Sequence, residues 1–253
     1  MVHHLHLGAR ACTLVDVSAK YIKPLMERRQ AFAERQAKRD VGIFTGKEPM
    51  GTGPENRHGM PKLPVGQRET EGHWPVLDLG DLPDIPRAEW RLAIGGLVNM
   101  PYAYTWEEFL ALPQTENASD FHCVTGWSMM DSCWAGVRFA DLAERVGVQR
   151  DARYIFVTAY DIAPGSDTSY TANLSLDEAM QPDVMLVHTW QGRPLPVEHG
   201  GPVRMITPQL YAWKGAKWVK HIEFLAEDCP GFWEKRGYSM TAHPWYDDRF
   251  QRR

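Results

Sequence analysis

The chain has 253 residues, 43% of them hydrophobic and 11% aromatic, enough to bury a full core and close to the upper size of one compact domain. Its formal net charge of -4, from 32 acidic and 28 basic residues without a long single-sign block, excludes an electrostatic footprint for nucleic acid, so any anion site must be local. No apolar run approaches the roughly 18 residues needed to cross a bilayer, and the first twenty positions are broken by histidines and polar residues, so no membrane span and a cytoplasmic location are expected.

Residues 24–38 (PLMERRQAFAERQAK) open on proline and mix Leu25, Met26, Ala31 and Phe32 with charges at helical intervals, which predicts an exposed amphipathic helix. From Asp40 to Gly66 the chain is rich in glycine, proline and charge and lacks periodicity, as a linker or extended arm would. The expected division is an N-terminal helix and arm over 1–62 and a globular body over 63–253. Within the body, Trp90 to Val98 alternates as a half-buried strand, and Thr105 with Glu108 forms a capping box that opens a short helix. Residues 119–124 and 153–158 read as strands on either side of a helix around 139–146. Ser175 with Glu178 is a second capping box, and 184–190, 202–207 and 217–225 are short Val, Ile and aromatic runs bounded by Gly or Pro. Few, short helices among many strands give an α+β (mixed α/β) class dominated by sheets, with functional loops between them.

Two segments carry chemistry. Asp120-Phe-His-Cys-Val-Thr-Gly-Trp-Ser128 places Cys123 where a strand ends, between a histidine and a glycine-bearing loop. A thiolate there can be held rigidly toward a cavity, and its soft sulfur suits a redox metal better than a hard ion. Taken alone, a free cysteine is more often a small buried hydrophobe. The second segment is His199-Gly-Gly-Pro-Val-Arg204, followed by Lys214-Gly-Ala-Lys217, in which glycines permit close backbone approach and Arg204 with the lysines could bracket a phosphate. A solvated basic edge is the plainer reading of each charge. Neither segment is a P-loop or a dinucleotide glycine motif. His188 and His221 sit in predicted strands and read as core or edge residues.

Together these segments resemble a family. Phe121-His-Cys-Val-Thr with Trp127-Ser128, Trp134-x-Gly136-Val137, Tyr170-Thr171-x-Asn173-Leu174, Pro194-Leu195-Pro196-x-Glu198-His199-Gly200-Gly201-Pro202-Val203-Arg204, Leu210-Tyr211-x-Trp213-Lys214 and Pro230-Gly231-Phe232-Trp233-Glu234 follow one another in the order of sulfite oxidase-type molybdenum oxidoreductases, in their small bacterial branch. The resemblance implies the molybdopterin-binding fold of that family and a molybdenum-molybdopterin cofactor whose metal is held by Cys123. It implies that Thr158, His199, Arg204 and the run Gly215, Ala216 and Lys217 hold the pterin and its phosphate. Gly215 stands where a serine is frequent, so its contact would come from its backbone N–H. His73, in the N-terminal cofactor loop around 67–74, completes the implied set. Many members carry arginine where this chain has Gly126, so a cation beside the metal is expected to be missing, which disfavours sulfite. The implied reaction is two-electron oxygen-atom transfer on a small sulfur- or nitrogen-oxo substrate, with electrons exchanged with a separate haem or other redox protein, by a monomer.

Two alternatives stay open at this level. One is a cysteine nucleophile paired with His122 or His199, although neighbouring strand residues face opposite ways and His122 is poorly placed for it. The other is a cofactor-free scaffold that retains the fold.

Overall fold

The computed structural model describes residues 47–80, 82–163 and 167–251; the helix expected over 24–38 lies outside them, as does Cys12. The expected arm is, in its described part, a hairpin. Strand β1 (Gly51–Glu55) pairs antiparallel with β2 (Pro61–Pro64). Asn56 makes the turn, its side-chain oxygen accepting from the backbone N–H of His58 at 2.9 Å and of Met60 at 3.1 Å. All of β1 faces solvent and β2 is only part-buried apart from Pro64, so no apolar alternation announces the hairpin. It is tied to the body through Met50 N–H on the Trp245 carbonyl, the Trp245 indole on the Pro61 carbonyl, and His58 on Asp183 at 2.7 Å. The described residues lie within one compact unit that spans Gly46–Arg253.

Two larger sheets follow. The first is centred on β7 (Trp127–Arg138), which pairs antiparallel with β6 (Thr115–Cys123) and with β10 (Met185–Trp190), and parallel with the short β3 (Arg68–Glu69). Strands β11 (Arg193–Pro194) and β12 (Arg204–Ile206) add to β10. The second sheet runs in the order β5 (Tyr102–Thr105), β4 (Arg91–Gly96), β13 (Val219–Leu225), β8 (Tyr154–Ile162), β9 (Ser169–Ser175), with β4 and β13 parallel. The helices are short, as expected: α1 (Trp106–Leu110), α2 (Phe139–Val146) and α3 (Leu176–Ala179). Both capping boxes form, at Thr105 with Glu108 and at Ser175 with Glu178.

Strand periodicity sorts side chains into two cores. On β10, Leu186 enters the larger core with Leu142, Ile155 and Met205, while Met185 and Val187 enter a second core of Trp74, Phe121, Trp127 and Trp134. On β12, Met205 joins the first and Ile206 the second. Arg204, two residues from Ile206, therefore points to the second core, and Phe121 and Cys123 share that side of β6.

Candidate active site

Cys123 ends β6 and pairs across the sheet with Trp127. The turn between them needs its glycine: Gly126 has φ +95°, donates to the Cys123 carbonyl at 3.1 Å, and a Cβ there would stand 3.2 Å from the Gly66 carbonyl. An arginine in the same conformation would be strained, which is a local reason for the loop's lack of a cation. The Cys123 thiol is 6% exposed and sits 3.1 Å from the Thr125 hydroxyl. Burial pushes its pKa up, against the opposing pull of Thr125 and of the Arg249 charge. A thiol so placed is a weak nucleophile as it stands and becomes a ligand once a metal replaces its proton.

The neighbouring His122 faces the other way. Its Nδ1 lies 2.8 Å from the Ser128 hydroxyl, which donates to Gln67, and the Gln67 amide donates to the Cys123 carbonyl at 3.2 Å. Burial holds the His122 ring near a pKa of about 3, so it is neutral, and it makes no bond to the thiol. The pairing required for a cysteine nucleophile is absent here among the described residues.

Arg204 is 2% exposed and has no carboxylate within ion-pair distance among the described residues. Its guanidinium donates instead to the carbonyls of His199 at 2.9 Å and Gly215 at 3.1 Å. It also lies over the rings of Phe121, at 4.9 Å, and Trp74, at 5.3 Å. Burial lowers its pKa to about 9. Lys217 donates to the Glu198 carbonyl at 2.6 Å, and burial followed by the Arg204 charge brings its pKa down to about 8. His199 stacks flat on Trp74 with ring centres 3.9 Å apart, and burial, Arg204, Lys217 and His73 hold its pKa near about 4. His73, the residue before Trp74, is exposed.

Ala216 is fully buried, and among the described residues its N–H and that of Lys217 donate to no carbonyl. Gly215 behaves otherwise than expected: its N–H is already given to the Ala212 carbonyl at 3.1 Å, and its own carbonyl serves Arg204. The glycines before Arg204 also have a structural use, because a Cβ at Gly200 would come within 3.0 Å of Arg204 and within 2.9 Å of Lys217. Lys214 does not bracket an anion. It is sealed in an ion pair with Glu234 at 2.6 Å, with side chains 1% and 0% exposed, and donates further to Asn173 and the Met240 carbonyl. Thr158 is half-buried on β8, in the second sheet, and no side-chain hydrogen bond ties it to the other site residues among those described.

Sequence reasoning missed Trp74, Gln67, Tyr211 and Arg249. Trp74 adjoins His73, and its aromaticity beside a histidine was the available signal. Gln67 opens the cofactor loop expected around 67–74 but had no role assigned, and Arg249 carries no signal, since it reaches the Cys123 loop from a remote segment.

Residues 79–233 match the family described as oxidoreductase molybdopterin binding domain. The chain is 40% identical over 190 residues to the uncharacterized oxidoreductase YuiH of Bacillus subtilis, covering 75% of this chain and 92% of that one. It is 36% identical over 172 residues to the protein-methionine-sulfoxide reductase catalytic subunit MsrP of Ralstonia nicotianae, and there spans 62% of this chain and only 52% of the relative. Among solved structures, the sulfane dehydrogenase SoxCD of Paracoccus pantotrophus shares the fold, with a TM-score of 0.53 and 21% identity over 62% of this chain and 42% of that one. A match over more than half of the chain, on the segments that build both halves of the site, places this protein in the molybdopterin-binding oxidoreductase family, as an enzyme of the sulfite oxidase type.

Proposed function

We propose that this chain transfers an oxygen atom at sulfur in a two-electron reaction, in the direction of sulfoxide reduction, and takes its electrons from a separate redox protein. Two of its relatives are named as protein-methionine-sulfoxide reductase catalytic subunits, at 36% and 37% identity, and the chain spans about half their length. Reduction of a sulfoxide consumes two electrons and two protons and releases a sulfide and water.

The observation that carries the assignment of roles is Arg204. A fully buried guanidinium satisfied only by carbonyls leaves net positive charge in the core, and Lys217 adds a second cation to it. The free amides of Ala216 and Lys217 are further donors. Such a site fits the phosphate of a pterin. The sulfur of Cys123, on the same side of the second core, is the soft ligand that molybdenum requires. Trp74, stacked on His199, would wall the pterin, His73 would lie at its rim, and Thr158 would meet it from the second sheet. When bound, the cofactor supplies the metal that accepts or gives the oxygen atom. The protein orients it: Gln67 fixes the Cys123 carbonyl, and the Arg204 fork fixes the His199 and Gly215 loops relative to each other.

The test is molybdenum per chain in protein from a molybdopterin-competent host, for wild type and Cys123→Ser, followed by reduction of dimethyl sulfoxide and methionine sulfoxide with a reduced dye. We expect near-stoichiometric metal and turnover in the wild type, and a folded Cys123→Ser protein without turnover. A metal-free wild type that is well folded, or a fully active serine variant, overturns the reading.

A further inference from the structure

Behind β6, on the side away from the Cys123 thiol, the β1–β2 hairpin and the body form a cleft of about 370 Å³. Ser119 and His122 of β6 and Asp183, just before β10, make its inner wall, and Glu55, Arg57 and His58 of the hairpin make its outer one.

The hydrogen bonds around His122 fix its tautomer. The Gln67 amide nitrogen donates to the Cys123 carbonyl, so the Gln67 oxygen is the end that accepts from Ser128. The Ser128 hydroxyl has one proton and gives it to Gln67, so toward His122, 2.8 Å away, it can only accept. In the neutral ring the proton therefore sits on Nδ1, and Nε2 is a bare lone pair. That atom, Asp183 Oδ1 and the Ser119 hydroxyl have no hydrogen-bond partner, although His122 and Asp183 are only 1% and 2% exposed. Buried acceptors left unpaired cost free energy that a donor-bearing ligand recovers.

The walls are also short of positive charge. Lys62 is paired with Asp131 at 2.7 Å, and Arg57 gives its fork to the Asn117 side-chain oxygen and the Ala118 carbonyl, both neutral. His58 meets the other oxygen of Asp183, at 2.7 Å. Glu55 and Asp120 line the cleft without a base at ion-pair distance among the described residues. An anion would face unpaired acceptors and carboxyl groups here. A bare metal ion fits no better, because among the described residues no three His, Cys, Asp or Glu side chains converge to hold one. A ligand that carries only donors and a positive charge answers both deficits.

We propose that this cleft is a second ligand site, separate from the cofactor, for a small organic cation whose ammonium or guanidinium head donates to His122 Nε2 and Asp183 Oδ1. Charge-assisted N–H donors are about twice as strong as neutral ones, and the partly enclosed wall limits their screening.

The test uses the full chain loaded with cofactor and probes of similar size: ethylammonium, ethylguanidinium and the neutral ethylurea. Calorimetric titration should give at least one of the cations a Kd of about a millimolar, with ethylurea about tenfold weaker or worse. Asp183→Asn should weaken the cation about tenfold or more. That variant also loosens the His58 tie, so the wild type carries an independent check. Nitrogen NMR of the histidine rings should place the His122 proton on Nδ1. Added cation should shift the Nε2 signal, and ethylurea should leave it in place. Binding of neither cation, ethylurea binding as tightly as the cations, undiminished binding by folded Asp183→Asn, or an Nε2 signal that the cation does not move overturns the inference.

Discussion

A buried base whose pKa is depressed destabilises the fold while it is charged, and Arg204 and Lys217 both do so in the protein without cofactor. The sign follows from linkage. Lys217 titrates near 8 when folded and near 10.5 when unfolded, so its burden is fully present below about pH 8 and is relieved as pH rises from there toward 10.5. The same deprotonation removes a donor for the cofactor phosphate. We therefore predict that cofactor-free protein gains stability from pH 8 to pH 9.5 while its affinity for inorganic phosphate falls over the same window. Urea midpoints and phosphate titrations at each pH check this, and both slopes should flatten in Lys217→Met. Cys123, His199, Arg204 and Lys217 were legible in the sequence because each belongs to a short run whose chemistry is local: a thiol at a strand end, and glycines beside cations. Gln67 and Tyr211 stood out only as members of longer segments, the loop around 67–74 and the Leu210–Lys214 motif, with no role of their own. Arg249 was not legible, because what matters about it is the remote loop it reaches. Lys214 was misjudged for the same reason, since its partner Glu234 lies a turn and a strand further along the chain.

The capping boxes at Thr105 and Ser175 form as read, because the interaction spans three residues and needs no tertiary context. The half-buried strand β4 was also readable from alternation. Strand β7 was not read as a strand: its twelve residues bury side chains on both faces, and Asp131 breaks the run with φ +49°, so no period of two is visible. The β1–β2 hairpin escaped for the opposite reason, having almost nothing buried to reveal it. Between β6 and β7 the Gly126 turn makes the sharpest demand on sequence. Gly126→Arg should cost about 1–2 kcal/mol, since a left-handed backbone is imposed on a side chain whose Cβ already meets the Gly66 carbonyl. A shift of the urea midpoint at unchanged slope would register it. An unchanged midpoint would show that the turn can relax.

At the scale of the molecule, the shared domain over 79–233 does not by itself complete the surroundings of Cys123. Gln67 and Trp74 come from before it, and Trp245 and Arg249 from after it. These two flanks also hold each other, through the Met50 and Pro61 contacts with Trp245. What anchors the later flank is the pair Lys214–Glu234, whose oxygen also accepts from the Trp213 indole at 2.8 Å, while Lys214 donates to the Met240 carbonyl. A pair this deep earns little over an apolar substitute, but removing one member strands the other charge at a cost of about 3–5 kcal/mol. Glu234→Gln should therefore lower stability by about that amount, whereas the double change Lys214→Met with Glu234→Gln, which leaves no buried charge, should recover a large part of it. If the anchor serves the site as argued, the single variant should also loosen the tail. Hydrogen exchange should then rise over residues 239–251 before it rises in the sheets. Uniform loss of protection across β7 and β13 would instead mean that the pair supports the whole core and not the tail in particular.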